Sequence, residues 1–390
     1  MPSVDLHALR AAVEARHPRY LAELEQLVNI DCGSYSSAGV NRVADFVAGA
    51  LAELGATVER IPHAPAADET ALGDLVVGRM QGGGPRVLLI GHMDTVFPEG
   101  TAAARPFRVD GDRALGPGVS DMKGGLLAGL HAIAALCAGG AEPNLTFVAN
   151  PDEEIGSPFS TPHIRALTAG HDVALVLECA RANGDVVSAR KGIADFEITF
   201  TGRAAHAGVE PEKGRSAILE AARQVVALHR LNGRWPGVTV NAGVIEGGTR
   251  PNVVAESCRV QLDLRAATAQ SFDIAAAEVS RLVDHPTIEG VATRLRRLAH
   301  HPPMERTPAA ARLAALAGSI AAELGFAVRD AATGGASDAN TTSAAGLPTL
   351  DGLGPVGGDD HSVDEWLDLD SVVPRTTLLA ALMARIGEAL

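Results

Sequence analysis

Val87-Leu88-Leu89-Ile90-Gly91-His92-Met93-Asp94-Thr95 decides the fold of this chain. Four apolar residues in succession read as a strand buried on both faces, the signature of a parallel sheet rather than of a sheet with one wet side. A glycine then ends the run, and a histidine and an aspartate follow at once. The same sentence is written twice more. Leu145-Thr146-Phe147-Val148-Ala149 leads to Glu153 and Glu154, and Val173-Ala174-Leu175-Val176-Leu177 leads to Glu178. In an open α/β sheet the carboxyl ends of parallel strands border one crevice. Acids and imidazoles far apart in the chain are therefore expected to converge, and such a set is what a pair of divalent cations needs.

Working outward, residues 5–29 carry an apolar face (Leu6, Leu9, Val13, Leu21, Leu24, Leu27) and read as a helix. A second helix is expected over 41–54, strands over 56–61, 74–80 and 86–90, and a helix of small and apolar residues over 122–137 that stops at Gly139-Gly140. This alternation predicts an α/β fold, a mixed sheet with helices on both faces. The rhythm changes near 190. Strand 193–201, helix 216–230, strands 238–246 and 258–264, helix 271–283 and strand 291–298 follow the β-α-β-β-α-β order of a ferredoxin-like α+β domain. After about 301 helix and strand alternate again. The expected organisation is a catalytic domain formed by 1–189 and 301–390, with 190–300 inserted as a second domain.

A chain of 390 residues is long for one core, in agreement with two domains. Hydrophobic residues make up 46% and charged residues 21%, a globular composition. The net charge of −14 argues against a nucleic-acid backbone as partner. No apolar stretch reaches the roughly 18 residues a membrane span needs. Met-Pro-Ser-Val-Asp-Leu-His lacks the basic-then-apolar order of a secretory signal, and the four cysteines form no close pair, so a cytoplasmic protein with reduced thiols is expected.

Taken singly, each candidate residue has an ordinary reading. His92 and Asp94 suit a loop and a turn after a strand, and Asp121, in Gly-Val-Ser-Asp-Met-Lys-Gly-Gly (118–125), suits the N-cap or first turn of the following helix. Asp152-Glu153-Glu154 suits a solvated acidic loop, Glu178 a strand-end charge, and His361, in Gly-Gly-Asp-Asp-His-Ser (357–362), a loop histidine. Together they allow more. Asp94 would orient the His92 ring, and the Asp121 carboxylate would bridge two cations. One of Glu153 and Glu154 would bind a cation while its neighbour moved protons. A two-metal phosphatase uses the same residue types, but no Gly-rich phosphate loop is evident; a binding protein that kept the fold without the chemistry is a further alternative.

Gly-His-Met-Asp-Thr-Val-Phe-Pro (91–98), Gly-Val-Ser-Asp-Met-Lys-Gly-Gly (118–125), Asp-Glu-Glu-Ile-Gly-Ser (152–157) and Gly-Asp-Asp-His-Ser (358–362) resemble, in order, the motifs of the M20 family of di-zinc peptidases and aminoacylases. The stretch 188–208 resembles the start of the lid domain of its glutamate carboxypeptidase (carboxypeptidase G2-like) branch. The resemblance implies two zinc ions, with cobalt or manganese as substitutes, one on His92, Asp121 and Glu178 and the other on Asp121, Glu154 and His361. It implies Glu153 as general base, Asp94 as the group orienting His92, and a cis Asp121–Met122 peptide. The inserted domain would be lid and homodimer surface. Its His206 would reach a neighbouring subunit's active site and stabilise the oxyanion there, Asn252 and Arg265 would grip a substrate carboxylate, and the Gly334-Gly335-Ala336-Ser337-Asp338 loop would line the pocket near that carboxylate. The activity implied is hydrolysis of an N-acyl amino acid or short peptide with release of a C-terminal amino acid. An acetyl- or succinyl-amino-acid deacylase and a dipeptidase share the same metal motifs.

Overall fold

The computed structural model describes residues 5–390. Residues 1–4, which the sequence reading placed in the catalytic domain and used in judging the start of the chain, lie outside the described residues. The chain divides into two compact units, each visited more than once. The larger holds the chain up to Ser188, then Arg306–Ala332 and Ser337–Leu390; the smaller holds Ala189–Glu305 and Thr333–Ala336.

The larger unit is built on a six-stranded sheet, in the order Thr57–Ile61, Leu75–Met80, Pro143–Asn150, Gly83–His92, Val173–Val176, Thr349–Leu350. The first two pairings are antiparallel and the last three parallel, so the sheet is mixed. Val87–Ile90 and Val173–Val176 are buried throughout, as continuous apolar runs should be. The helix Gly125–Ala138 is small or apolar apart from His131, which meets Glu23 at 2.7 Å, and almost every residue of it is buried, between the sheet and the helices Leu6–Val28 and Leu369–Arg385. Because the three central strands run parallel, His92, Asn150 and Val176 end at the same edge of the sheet.

A second sheet of this unit has no counterpart in the sequence reading. It pairs Gly357–Gly358, Trp366–Asp368, Arg113–Leu115 and Arg108–Asp110, all very short. Trp366 pairs with Leu115, which carries the 358–365 segment against the 116–121 segment. The helix expected over 122–137 also begins later. Val119–Gly124 form a wide turn in which Asp121 and Met122 have non-helical dihedrals, and the Asp121–Met122 peptide is cis. Regular helix starts at Gly125 with Gly124 as its N-cap residue, so Asp121 is not the helix cap that its position suggests in isolation.

The smaller unit is an antiparallel sheet in the order Thr239–Gly247, Ser257–Ala266, Gly192–Thr201, Ala292–His301, with helices Ala217–His229 and Ala269–Asp284 packed on it. That is the ferredoxin-like arrangement. Burial alternates along Gly192–Thr201 and Ser257–Ala266, so one face, with Phe196, Ile198, Phe200, Val260, Leu262 and Leu264, makes the core. Ser216 and Thr268 cap the two helices through their hydroxyls. The unit ends at Glu305 rather than near 301, because the last strand runs to His301 and Met304 still pairs with Arg190. Thr333–Ala336 return to it: the Lys191 amide donates to the Thr333 carbonyl.

Candidate metal centre

The two-apart spacing of His92 and Asp94 works differently from the simplest expectation. Nδ1 of the buried His92 ring lies 3.0 Å from the main-chain oxygen of Asp94 and 3.4 Å from its carboxylate, so the carbonyl is the nearer acceptor. The Asp94 carboxylate instead accepts the hydroxyl of Ser34 at 2.6 Å and the amides of Glu153 and Glu154, both at 3.1 Å. One aspartate thereby orients the ring by its backbone and the acidic pair by its side chain. With Nδ1 engaged, Nε2 points to the acids, 3.0 Å from Asp121 Oδ1 and 3.8 Å from Glu178 Oε1.

Asp121 turns its other oxygen the opposite way. Oδ2 lies 3.1 Å from Nε2 of His361, and the same nitrogen is 3.1 Å from Glu154 Oε2. His361 has a left-handed φ of 64°, uncommon for any residue but glycine and found more often at functional sites. Two glycines permit the close approach. A Cβ on Gly118, whose φ is +72°, would meet Thr95 Cγ2 at 2.5 Å; one on Gly125 would stand 1.9 Å from the Leu177 carbonyl, so only glycine lets the helix start beside the strand that delivers Glu178.

The electrostatics are those of an acid-rich pocket. Burial alone would lower the His92 imidazole, but its bonds to Asp121 and Asp94 and the charges of Glu178 and Glu153 hold it well above its usual range. Hydrogen bonds to Asp121 and Glu154 push His361 up to about 11 against its partial burial. Desolvation would raise the half-buried Asp121, yet its two imidazole partners hold it below the ordinary carboxylate range. Burial raises Glu153 well above that range; His92 opposes the rise, and Glu178, Asp338 and Glu154 add to it. Burial also raises Glu154.

These residues fit divalent cations. The donors are imidazole nitrogens and carboxylate oxygens. Glu154 Oε1 is buried with no hydrogen-bond partner. Ligand atoms of His92, Asp121 and Glu154, and of His92, Glu153 and Glu178, gather within 4.8 Å of one another. The ion-pair distances favour a different division, because each Asp121 oxygen faces a different imidazole: His92, Asp121 and Glu178 on one side, Asp121, Glu154 and His361 on the other. Protons held on the imidazoles sit where such cations would compete for the same atoms.

Three supports were not legible in the sequence. Glu365, 1% exposed, accepts the amides of Gly118, Ser120 and Asp121 at 2.8 to 3.0 Å. Asp338 accepts Asn150 Nδ2 at 2.6 Å and Ser157 Oγ at 2.7 Å beneath the acidic turn. Lys123, buried, donates to the carbonyls of Ile30 and Pro117, both at 3.1 Å. No residue type or spacing announces that Glu365 and Lys123 bond backbone groups, or that Asp338 meets side chains some 180 residues away in the chain.

Within the smaller unit His206 and Asn252 are exposed and adjacent: His206 bridges to Val253, and the Ala207 amide donates to the Asn252 carbonyl at 3.0 Å. Arg265 is already engaged. Nε and Nη2 face the Asp263 carboxylate at 3.1 Å, and Nη1 donates to Gly334 O at 2.8 Å. Of the five N–H donors of a guanidinium, that leaves one on each terminal nitrogen. Gly335 O accepts Arg190 Nη1 at 3.2 Å. A separate, mainly apolar groove of about 630 Å³, lined by Leu9, Pro85, Leu136 and Met383 among others, contains none of the clustered acids or imidazoles.

Parallel strands that lead to His92, the Glu153–Glu154 turn and Glu178, with the Asp121 carboxylate between His92 and His361, make the arrangement of a metal-dependent hydrolase. Within that class, residues 88–385 match the peptidase family M20/M25/M40, and the chain belongs to that family and is a hydrolytic enzyme that uses divalent metal. It is 30% identical over 387 residues to carboxypeptidase G2 of Pseudomonas sp. (strain RS-16), covering 98% of this chain and 92% of that one. It is 28% identical over 393 residues to succinyl-diaminopimelate desuccinylase of Paracidovorax citrulli, covering 95% and 98% respectively. Among solved structures, aminopeptidase PepT from Bacillus cereus superposes with a TM-score of 0.78 at 21% identity, over 95% of this chain and 99% of that one. The M20 family metallo-carboxypeptidase Sso-CP2 from Sulfolobus solfataricus gives 0.73 at 15%, over 93% and 98%. Both show the same fold.

Proposed function

We propose that this enzyme hydrolyses the amide bond of an N-acyl amino acid or short peptide and releases the C-terminal amino acid, in the manner of a glutamate carboxypeptidase. The observation that carries the reading is Asp121, with one oxygen 3.0 Å from His92 and the other 3.1 Å from His361. Two zinc ions, held by His92, Asp121 and Glu178 and by Asp121, Glu154 and His361, would supply Lewis acidity to the scissile carbonyl and make water a stronger acid there; cobalt or manganese suits the same donors. Glu153 takes a proton from the attacking water as its oxygen bonds to the carbonyl carbon. It returns that proton to the leaving nitrogen as the C–N bond breaks. Asp94 keeps His92 and the Glu153–Glu154 turn in register. His206 of the partner subunit donates to the developing oxyanion. Arg265, through its two remaining N–H donors, and Asn252 hold the carboxylate of the amino acid to be released, beside the Gly334-Gly335 turn.

The smaller unit serves as lid and as the surface of a homodimer. Exposed Ile218, Leu219 and Val226 on Ala217–His229, and Ile245 on an edge strand, support pairing through it. The enzyme acts in the cytoplasm on small molecules, without nucleic acid or membrane. Among the described residues no helix is long and apolar enough to cross a membrane.

Amino-acid release from zinc-loaded protein tests the reading, with folyl-, benzoyl- and acetyl-glutamate set beside their Ala, Phe, Lys and Arg counterparts. Preferential release of glutamate is the expected result. Turnover restricted to succinyl or acetyl substrates, or to dipeptides, would move the enzyme to a deacylase or a dipeptidase. No turnover with two metals bound would overturn amide hydrolysis.

A further inference from the structure

Glu365 lies outside the cation-binding set but sits against it, and its geometry is unusual. Its side chain is buried, and all three of its hydrogen bonds come from main-chain amides of one turn: Gly118 N to Oε2 at 2.9 Å, Ser120 N to Oε1 at 2.8 Å and Asp121 N to Oε1 at 3.0 Å. The fourth amide of the turn, Val119, is satisfied locally by the Gly116 carbonyl. Glu365 and the Gly116 carbonyl together satisfy the four consecutive amides from Gly118 to Asp121, the stretch that presents the Asp121 carboxylate. Glu365 also stands four residues beyond His361 and immediately before Trp366–Asp368, the strand that pairs with Arg113–Leu115. That ladder stops at Leu115, six residues short of Asp121, and beyond it Glu365 ties the segment bearing His361 to the main chain of the segment bearing Asp121.

A neutral side chain would fill the space at lower electrostatic cost. A carboxylate beside Asp121, in a pocket that already gathers Glu154 and Glu178, adds like charge and is desolvated. What it gives in return is specific: two acceptor oxygens, rigidly spaced, for three amides pointing at one place. Fixing the Asp121 amide fixes the direction of its side chain, and that direction sets which oxygen meets His92 and which meets His361.

We propose that Glu365 is a positioning residue which holds the Asp121 carboxylate in its bridging orientation relative to His361, and so tunes the affinity and geometry of the metal pair. The proposal rests on the reading of His92, Asp121, Glu154, Glu178 and His361 as cation ligands. An amide of the same shape cannot do the work, because Gln offers one acceptor oxygen and places N–H donors against the remaining amide.

The test is Glu365→Gln in the full chain, with three measurements: zinc affinity by competition with a chromophoric chelator, the visible spectrum of the cobalt(II)-loaded protein, and thermal unfolding of the metal-free protein. The expected result is zinc binding weakened about 10- to 100-fold, the range for partners that orient metal ligands, with altered cobalt bands. Affinity within about twofold of the parent and an unchanged cobalt spectrum would overturn the proposal, whatever happened to the unfolding temperature, since that is the pattern of a purely structural residue. Should Glu365→Gln fail to fold, Glu365→Asp keeps the charge, shortens the reach and is read by the same criteria. The parent and His361→Ala, measured alongside, separate the two layers. A parent that binds no zinc removes the metal reading and this proposal with it; a parent that binds two and a Glu365→Gln that binds them equally well removes this proposal alone.

Discussion

At the scale of single residues, the adjacent pair Glu153 and Glu154 receives two environments from one aspartate. Asp94 accepts both of their amides, yet only Glu154 reaches an imidazole, 3.1 Å from His361. Glu153 is half-buried, and desolvation, reinforced by the charges of Glu178, Asp338 and Glu154, holds its carboxyl well above the usual carboxylate range. Glu153→Gln leaves the Asp94 contact intact, because that contact uses the main chain. The variant should therefore keep its full metal content while turnover falls at least about a hundredfold, the lower range for general-base work. Metal analysis and steady-state kinetics on the same preparation check this; near-normal turnover would take the proton-transfer role away from Glu153. The sequence made this pair visible by adjacency alone. It could not show that Asp94 holds His92 through a carbonyl, because a backbone partner leaves no trace in residue type.

Among elements, long periodic segments were legible and short pairings were not. The alternation of 193–201 and 258–264 placed the strands Gly192–Thr201 and Ser257–Ala266 within two residues of their ends, because one face of each is buried and period two records that burial. Gly357–Gly358 and Trp366–Asp368 are two and three residues long. No periodicity exists over such lengths, yet they bring His361 to Asp121. Tertiary ties between elements are equally silent, as in the helix Ala217–His229. Its fully buried Glu220 accepts Gln224 Nε2, the Thr287 hydroxyl and the amides of Thr287 and Ile288. Burial opposes its ionisation, but these bonds prevail and the folded pKa lies below the usual 4.5. A carboxylate with a depressed folded pKa stabilises above its unfolded pKa, and that contribution fades as pH falls through the folded value. Glu220→Gln should thus cost about 1–3 kcal/mol near neutrality, from buried donors left unpaired. In urea unfolding followed from pH 7 to pH 3, its gap to the parent should stay constant down to about 4.5 and narrow below. A gap that widened in acid would contradict this account.

For the whole molecule, the central fact is that the candidate ligands run from residue 92 to residue 361 and belong to one unit of two. Cations there would tie five separate segments of the larger unit together, in a pocket whose carboxylates otherwise repel one another. Mass action sets the scale: free metal at a hundred times its dissociation constant stabilises the folded state by about 2.7 kcal/mol per site. The two proposed sites are not equally enclosed. His92 is 1% exposed at its side chain, whereas His361 is 54% exposed. A chelator should reach the His361 side first, so zinc should leave in two steps, one equivalent quickly and the other slowly. Removal of both should lower the unfolding temperature of the larger unit and leave that of the smaller unit in place. Stopped-flow chelation with a zinc indicator, paired with calorimetry of the same samples, reads both effects. Release of both ions at one rate would mean that exposure of His361 does not govern exit. A fall in the unfolding temperature of the smaller unit would mean that the cations stabilise more than the unit whose side chains hold them.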